Sequence, residues 1–403
     1  MRAHRMGAPG LLRVAALIGL GVLLAGCSAE PASAPPATTS ERPQPSVTAS
    51  ATPVPSAPSA RVTAGCDDLI SPDTIATVFT TETTVRPLGY DNSSNGPVAL
   101  AIQQLGAVNC VWANGPHRPP WQQGVTEGFS TAKLTVVPDG EAPWQEYAAA
   151  YALAQEAPSP YGESAFGPRC VPEIGSCFFQ ALVGTYWADL TLSGVGSAGM
   201  GADEMDELVT PLTDALMQTL AAEPAPPAVW VAPVGTEPLP VECTEFLSDA
   251  QADQLSGASP LQVRTFWDGP HVGQWFYSLG KTGAQRCHIQ AADSDSGIGH
   301  LDYLPGGGWG FDALSAGWLA DGSVTSDTVA GLSAADAALI RCGVPEESCT
   351  VDIRFGGNWV QLNLTAYAPE HIGYPEGVDI RIARDNVGAF AEAIVANLNA
   401  TAG

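Results

Sequence analysis

The chain alternates between two hydrophobic rhythms. Val209, Leu212, Leu216 and Leu220 fall three and four residues apart, and so do Val387, Phe390, Ile394 and Leu398. That spacing places each set on one face of an α-helix. CFFQALVGTYWADLTL (177–192) and CTVDIRFGGNWVQLNL (349–364) read instead as β-hairpins, turning near Gly184-Thr185 and Gly356-Gly357. SPDTIATVF and SDAQADQL predict short helices with Ser or Asp as N-cap, and WQEYAAAYALAQ and FDALSAGWLA predict longer ones. Strands lead into Cys110 and Cys287, and further strands end at Pro138-Asp139-Gly140 and Pro305-Gly306-Gly307. Hairpins and helices in this order predict an α+β fold, each unit a mainly antiparallel sheet with helices packed on it.

Every element occurs twice, and the cysteines keep the count. After Cys27 they stand at 66, 110, 170 and 177, then at 243, 287, 342 and 349, with gaps of 44, 60 and 7 followed by 44, 55 and 7. RCVPEIGSC (169–177) and RCGVPEESC (341–349) share their spacing and their leading arginine. Cys66-Asp-Asp-Leu-Ile-Ser parallels Cys243-Thr-Glu-Phe-Leu-Ser, and Gly184, Trp187, Leu190 and Leu192 parallel Gly356, Trp359, Leu362 and Leu364. We therefore expect two tandem homologous domains, 63–222 and 241–403, joined by a Pro-rich stretch, 223–240, that does not itself force them together.

Four cysteines per unit allow three pairings. We expect first with second and third with fourth: Cys66–Cys110, Cys170–Cys177, Cys243–Cys287 and Cys342–Cys349. The short pairs would close beside a hairpin with little strain. A zinc site is the alternative, but a gap of seven is not the close C-x-x-C pair such sites use, so no metal is expected.

The first residues change the picture of compartment. Arg2, Arg5 and Arg13 precede and flank an apolar run, Val14 to Gly26, too short to span a bilayer comfortably and suited to a signal peptide. It ends Leu24-Ala25-Gly26-Cys27, which resembles the lipobox of bacterial lipoproteins. That resemblance implies a signal peptide over 1–26, Cys27 as a lipid-modified mature N-terminus, and anchoring at the extracytoplasmic face of the cell membrane. Residues 27–62 are mostly Ser, Ala, Pro and Thr, the composition of a disordered tether. The net charge is −26, and the chain has only two lysines, Lys133 and Lys281. So anionic a surface argues against nucleic acid as a partner.

No catalytic constellation stands out. His117, His271, His288, His300 and His371 have no histidine counterparts in the other repeat; Val111 aligns with His288. GVGSAG (194–199) fits a dinucleotide-binding glycine pattern, but Met200 and Gly201 and then acidic residues follow where the phosphate needs a helix N-terminus. DSDSG (293–297) departs from a calcium loop at its fifth and twelfth places. No cofactor is expected. The repeated aromatics Trp144, Trp187, Phe311 and Trp359 are the candidates for a ligand-facing cleft, against core packing.

Cys66-x-x-Leu69, Cys110-x-Trp112 and the late third cysteine resemble a family of actinobacterial cell-envelope lipoproteins that carry one such disulfide domain behind a lipobox and a Ser/Pro/Thr tether. The second unit departs, with Phe246 and Ile289 at the Leu and Trp positions. Related disulfide-bearing α+β domains serve as extracellular sensors of mycobacterial-type kinases. The resemblance implies a non-catalytic ligand-binding, sensor or adaptor module, partnered by the membrane through its lipid and by an envelope ligand or protein. A carboxylate-using cell-wall hydrolase or transferase and a structural envelope component are the alternatives.

Overall fold

The first half opens with two short helices, α1 (Cys66–Leu69) and α2 (Pro72–Ala76). Ser71 caps α2 by accepting from the Thr74 N–H at 3.2 Å, and Pro72 fills the first helical position, where no N–H is needed. There follow β1 (Thr84–Val85), α3 (Pro97–Gln104), β2 (Val108–Ala113), β3 (Thr131–Val137), α4 (Glu141–Ala150), β4 (Ala165–Val171), β5 (Ser176–Val183), β6 (Tyr186–Ser193) and α5 (Ala202–Ala222). The second half repeats the series with α6 (Cys243–Phe246), α7 (Asp249–Ser256), β7 (Leu261–Thr265), α8 (Gln274–Thr282), β8 (Gln285–Ala291), β9 (Gly297–Leu304) and α9 (Gly308–Asp321). One additional strand, β10 (Thr325–Asp327), precedes β11 (Ala337–Cys342), β12 (Ser348–Phe355), β13 (Asn358–Thr365) and α10 (Ile382–Ala402). This computed structural model describes residues 56–79, 82–86, 96–115, 129–150, 159–196, 199–257, 260–266, 272–292, 297–343, 348–365 and 382–402. The expected signal peptide, Cys27 and nearly all of the expected tether lie outside them.

The fold is α+β, with two antiparallel sheets. Sheet one runs β1-β2-β3-β6-β5-β4, and sheet two runs β7-β8-β9-β13-β12-β11-β10. Strand for strand the order is the same, with β10 added at one edge. The four expected disulfides are present: Cys66–Cys110, Cys170–Cys177, Cys243–Cys287 and Cys342–Cys349. The short bridges join directly opposed residues on β4 and β5 and on β11 and β12. In the first half the two-cysteine loop is therefore the turn of a further hairpin, β4 with β5, and the strand before it had no distinct sequence signal.

One face of each sheet carries a core of alternating apolar residues. In sheet two, Cys349, Val351, Ile353 and Phe355 meet Val387, Phe390, Ile394 and Leu398 of α10. In sheet one, Cys177, Phe179 and Ala181 meet Val209, Leu212, Leu216 and Leu220 of α5. Each such large side chain contributes about 1.5–3 kcal/mol on burial.

The opposite faces are covered by exchange between the halves. α3, from the first half, lies on sheet two, where Val98, Leu100 and Ala101 join Leu304, Phe311, Leu314, Trp318 and Trp359 in one cluster. Gly310 permits that approach, since a Cβ there would lie 2.8 Å from Leu100 and 3.3 Å from Trp359. Gln104 Nε2 donates to the Pro305 carbonyl at 2.9 Å, and Trp309 Nε1 donates to Gln104 Oε1 at 3.2 Å. In return α8, from the second half, reaches sheet one. Gln274 Nε2 donates to the Trp187 carbonyl at 2.8 Å, and Tyr277 packs with Ile102, Ala107 and Val137.

Residues 53–403 thus form one compact unit. The Pro-rich stretch is fastened to both halves. Tyr186 and Arg61 donate to the Pro224 and Pro227 carbonyls, each at 2.6 Å, and the Glu237 N–H donates to the Gly356 carbonyl at 2.9 Å. None of the described helices is long and apolar enough to cross a membrane.

Candidate functional site

The four repeated aromatics are packing residues. Trp144, Trp187, Phe311 and Trp359 are all buried, Trp187 and Trp359 completely. Trp144 meets Trp187 edge-on at 5.8 Å, and Phe311 meets Trp359 edge-on at 6.5 Å. They seat α4 and α9 on their sheets, and none of the four lines the cleft described below, against the expectation that they face a ligand. His117, His271 and His371 lie outside the described residues, as do most of DSDSG and part of GVGSAG. Among the described residues no group of three or more His, Cys, Asp or Glu side chains is placed to hold a metal ion.

The polar side chains that matter sit on the inner sheet faces, in rows fixed by strand register. In sheet two one row runs Arg286, Asp302, Gln361, Asp352, and the next runs Arg264, His288, His300, Asn363, Thr350, Arg341. The first row holds two bonded pairs, Arg286 with Asp302 and Gln361 with Asp352. Arg286 holds Asp302 through two bonds of 2.7 Å, a bidentate pair. Asp352, fully buried, accepts from Trp359 Nε1 at 3.0 Å and from Gln361 Nε2 at 2.6 Å, with Arg341 at 3.6 Å. Burial pushes the Asp352 carboxyl up, and the Arg341 charge and the hydrogen bonds pull it back. Arg341 also lies over the Trp318 ring at 4.8 Å. His288 stacks on Phe266 at 3.9 Å; burial, then the neighbouring His300 and Arg286, push it down to about 4. α3 closes over this network, its Gly96 standing so near Gln361 that a Cβ would come within 2.9 Å of the amide oxygen. These residues brace the sheet from within.

Sheet one has the same rows with other residues. Asn109, Thr135, Asp189 and Gln180 occupy the positions of Arg286, Asp302, Gln361 and Asp352. Val111, Lys133, Thr191, Phe178 and Arg169 form the second row, and the Arg86 N–H bonds to the Val111 carbonyl at its head. Here the rows floor a cleft of about 800 Å³. Its walls are α3, through Ala99, Ile102 and Gln103, and the start of α8, through Trp275 and Phe276, with Trp309 of α9. All three aromatics are partly exposed. α8 reaches sheet one at Trp187 and Val137, whereas α3 lies on sheet two.

Three groups set the cleft's electrostatics. Arg86 Nε and Nη2 donate to the Ala113 carbonyl at 3.0 and 2.6 Å, which fixes the guanidinium. Lys133 stands opposite both Val111 and Thr191. Asp189 accepts from Gln180 Nε2 at 2.6 Å, and burial pushes it up to about 6 against that bond. Asp189 is the single carboxylate among the described lining residues.

Sequence reading missed Lys133, Asp189, Trp275, Phe276 and Trp309 as a set. The only signal was polar alternation within strands, which reads as an ordinary solvent face when the covering helix comes from the other half. Comparison with protein-family models, with curated proteins and with solved structures gave no match.

Proposed function

We propose that the protein is a non-catalytic ligand-binding module, tethered through a lipid on Cys27 to the extracytoplasmic face of the cell membrane, and that it takes its ligand in the cleft on sheet one. The observation that carries the reading is the cleft itself: about 800 Å³, with a polar floor and three partly exposed aromatics on its wall. That size and lining are typical of small-molecule sites. Four disulfides favour an oxidising compartment. Common strand order and register support descent of 63–222 and 241–403 from one duplicated domain. In this reading the second sheet is the brace and the first is the binding face.

Asp189 is the one feature favouring a hydrolase or transferase, because a carboxyl near pKa 6 suits acid–base work. Its hydrogen-bond partner is an amide, Gln180, where paired-carboxylate chemistry needs a second acid.

The binding reading is tested by native mass spectrometry of the protein purified from membranes. A co-purifying small molecule that disappears in Ala99→Trp, which fills the cleft, supports it. A ligand retained in that variant places binding elsewhere. The anchor is tested separately: Cys27→Ser protein should leave the membrane fraction with its melting temperature unchanged, and persistent attachment after signal cleavage contradicts it.

A further inference from the structure

We infer that the cleft takes a short oligosaccharide of pyranose rings, its hydroxyls bonded along the row Asn109, Thr135 and Asp189 and the C–H face of a ring laid on Trp309 and Trp275. This rests on the cleft being a ligand site and adds the chemical class of the ligand.

Compared position by position, the two sheets differ in what their polar rows leave for a ligand. In sheet two the row is used up within the fold: Arg286 holds Asp302, and Gln361 holds Asp352. In sheet one the same four positions carry Asn109, Thr135, Asp189 and Gln180, and only the last two bond to each other. That bond uses Oδ2 of Asp189. Asp189 Oδ1 and the Asn109 and Thr135 side chains bond to no other protein group among the described residues. Neighbouring strands lie about 4.8 Å apart, so these three residues present an amide, a hydroxyl and a carboxylate at regular intervals across the floor. Thr191, two residues beyond Asp189 on β6, adds a hydroxyl on the same face. The hydroxyls round a sugar ring both donate and accept, so all these groups serve them, whatever the charge balance of Lys133 and Arg86. At neutral pH Asp189, with its pKa near 6, is ionised, and a charged acceptor makes the strongest of these bonds.

The wall supplies the other half of the match. Trp309 is held through its indole N–H by Gln104, and Trp275 meets Phe276 edge-on, centroids 4.9 Å apart. All three rings line the cleft and are partly exposed. A pyranose has a C–H face that stacks on such rings and a hydroxyl rim that does not, which is the division between this wall and this floor. A flat hydrocarbon would desolvate the polar row without bonding it. An acyclic polyol would bond the row and leave the rings unmatched. The volume, about 800 Å³, lies toward the upper end for small-molecule sites and leaves room for more than one ring.

The test is calorimetric titration of the full chain in lipid nanodiscs, with empty nanodiscs subtracted. The probes are maltotriose, cellotriose, chitotriose and mannotriose, with sorbitol as the acyclic polyol and 2-naphthol as the flat apolar control. At least one trisaccharide should bind about tenfold or more tightly than both controls. Asp189→Asn, which keeps an acceptor for Gln180, should weaken that trisaccharide about tenfold and leave 2-naphthol unchanged. Thr135→Val, which removes one hydroxyl and keeps the shape, should weaken it severalfold. Trp309→Ala should weaken it too, and Trp309→Phe should restore part of the loss. If Trp309→Ala does not fold, upfield NMR shifts of the bound sugar's ring C–H protons on the unaltered protein report the stacking independently. Sorbitol or 2-naphthol binding as tightly as every trisaccharide, and lost in Ala99→Trp, overturns the carbohydrate assignment and leaves the cleft as a ligand site. Trisaccharide binding indifferent to Asp189→Asn, Thr135→Val and Ala99→Trp overturns it as well. So does the failure of every trisaccharide to bind, and native mass spectrometry then decides the cleft reading on its own.

Discussion

Gln180 donates to Asp189 at 2.6 Å across β5 and β6, and at the same register positions in the other sheet Gln361 donates to Asp352, also at 2.6 Å. The acid and the amide have exchanged strands. In sheet two the acid lies where Trp359 and Arg341 can reach it; in sheet one it faces the cleft. Trp187, at the position of Trp359, accordingly has no hydrogen-bond partner for its buried indole N–H.

Asp189 makes the cleft pH-dependent. Its folded pKa, about 6, lies above the ordinary value of 3.8, so the native state binds the proton more tightly than the unfolded chain. Its stabilising contribution is full below the unfolded value and is lost as pH rises through 6. Asp189→Asn keeps an acceptor for Gln180 and removes the buried charge. It should raise the melting temperature at pH 7.5 and change it much less at pH 4.5; equal shifts at the two values would contradict the assignment.

His288 runs the other way. Its folded pKa, about 4, lies below the ordinary 6.5, so the unfolded chain binds the proton more tightly between the two. The contribution is full above 6.5 and is lost as pH falls through 4. Long-range ¹H–¹⁵N NMR should find the His288 ring neutral at pH 5.5, and His288→Gln should flatten the acid limb of the stability profile. A titration midpoint near 6.5 would show the ring to be solvated.

The two classes of disulfide should differ in weight. In the chain-entropy description, closing the loop between Cys66 and Cys110 is worth about 4 kcal/mol and the loop between Cys170 and Cys177 about 2.5 kcal/mol. The double variant Cys66→Ala/Cys110→Ala should therefore have the lower urea midpoint of the two pairs. The reverse order would mean that the short bridge carries strand pairing at the β4 edge.

The exchanged helix should hold the halves together without the linker. Val234 is fully exposed, so a protease site introduced there can be cut. The cut halves should co-elute, because Val98, Leu100 and Ala101 remain buried on sheet two. Leu100→Ala in the intact chain should lower stability by about 2–5 kcal/mol, the range for a buried leucine. Leu100→Asp should release the cut halves, and co-elution of that variant would place the main contact elsewhere.

Much of this was legible in the residues alone. The helix faces at Val209–Leu220 and Val387–Leu398, the hairpins turning at Gly184 and Gly356, the capping serines Ser71 and Ser248 and the cysteine pairs all follow from local spacing and recur in the structure. Those features need only a chain and its near neighbours. α3 and α8 went unread, although Gly106 and Gly283 mark their ends in the left-handed conformation glycine adopts readily. Both are short, and PVALAIQQ and QWFYSLGKT share little sequence, so the repeat did not mark them.

The sequence by itself determined many of the elements, the twofold spacing of the cysteines and the covalent staples, since periodicity, turn chemistry and cysteine spacing act over short range. Only the tertiary structure decided which helix covers which sheet, and hence that one polar face closes over a network of ion pairs while the equivalent face opens as a cleft. The cover on those faces comes from groups far apart in the chain, Gly96 over Gln361 and Gln274 at Trp187: the exchange of helices sets these meetings, and no local pattern carries that information.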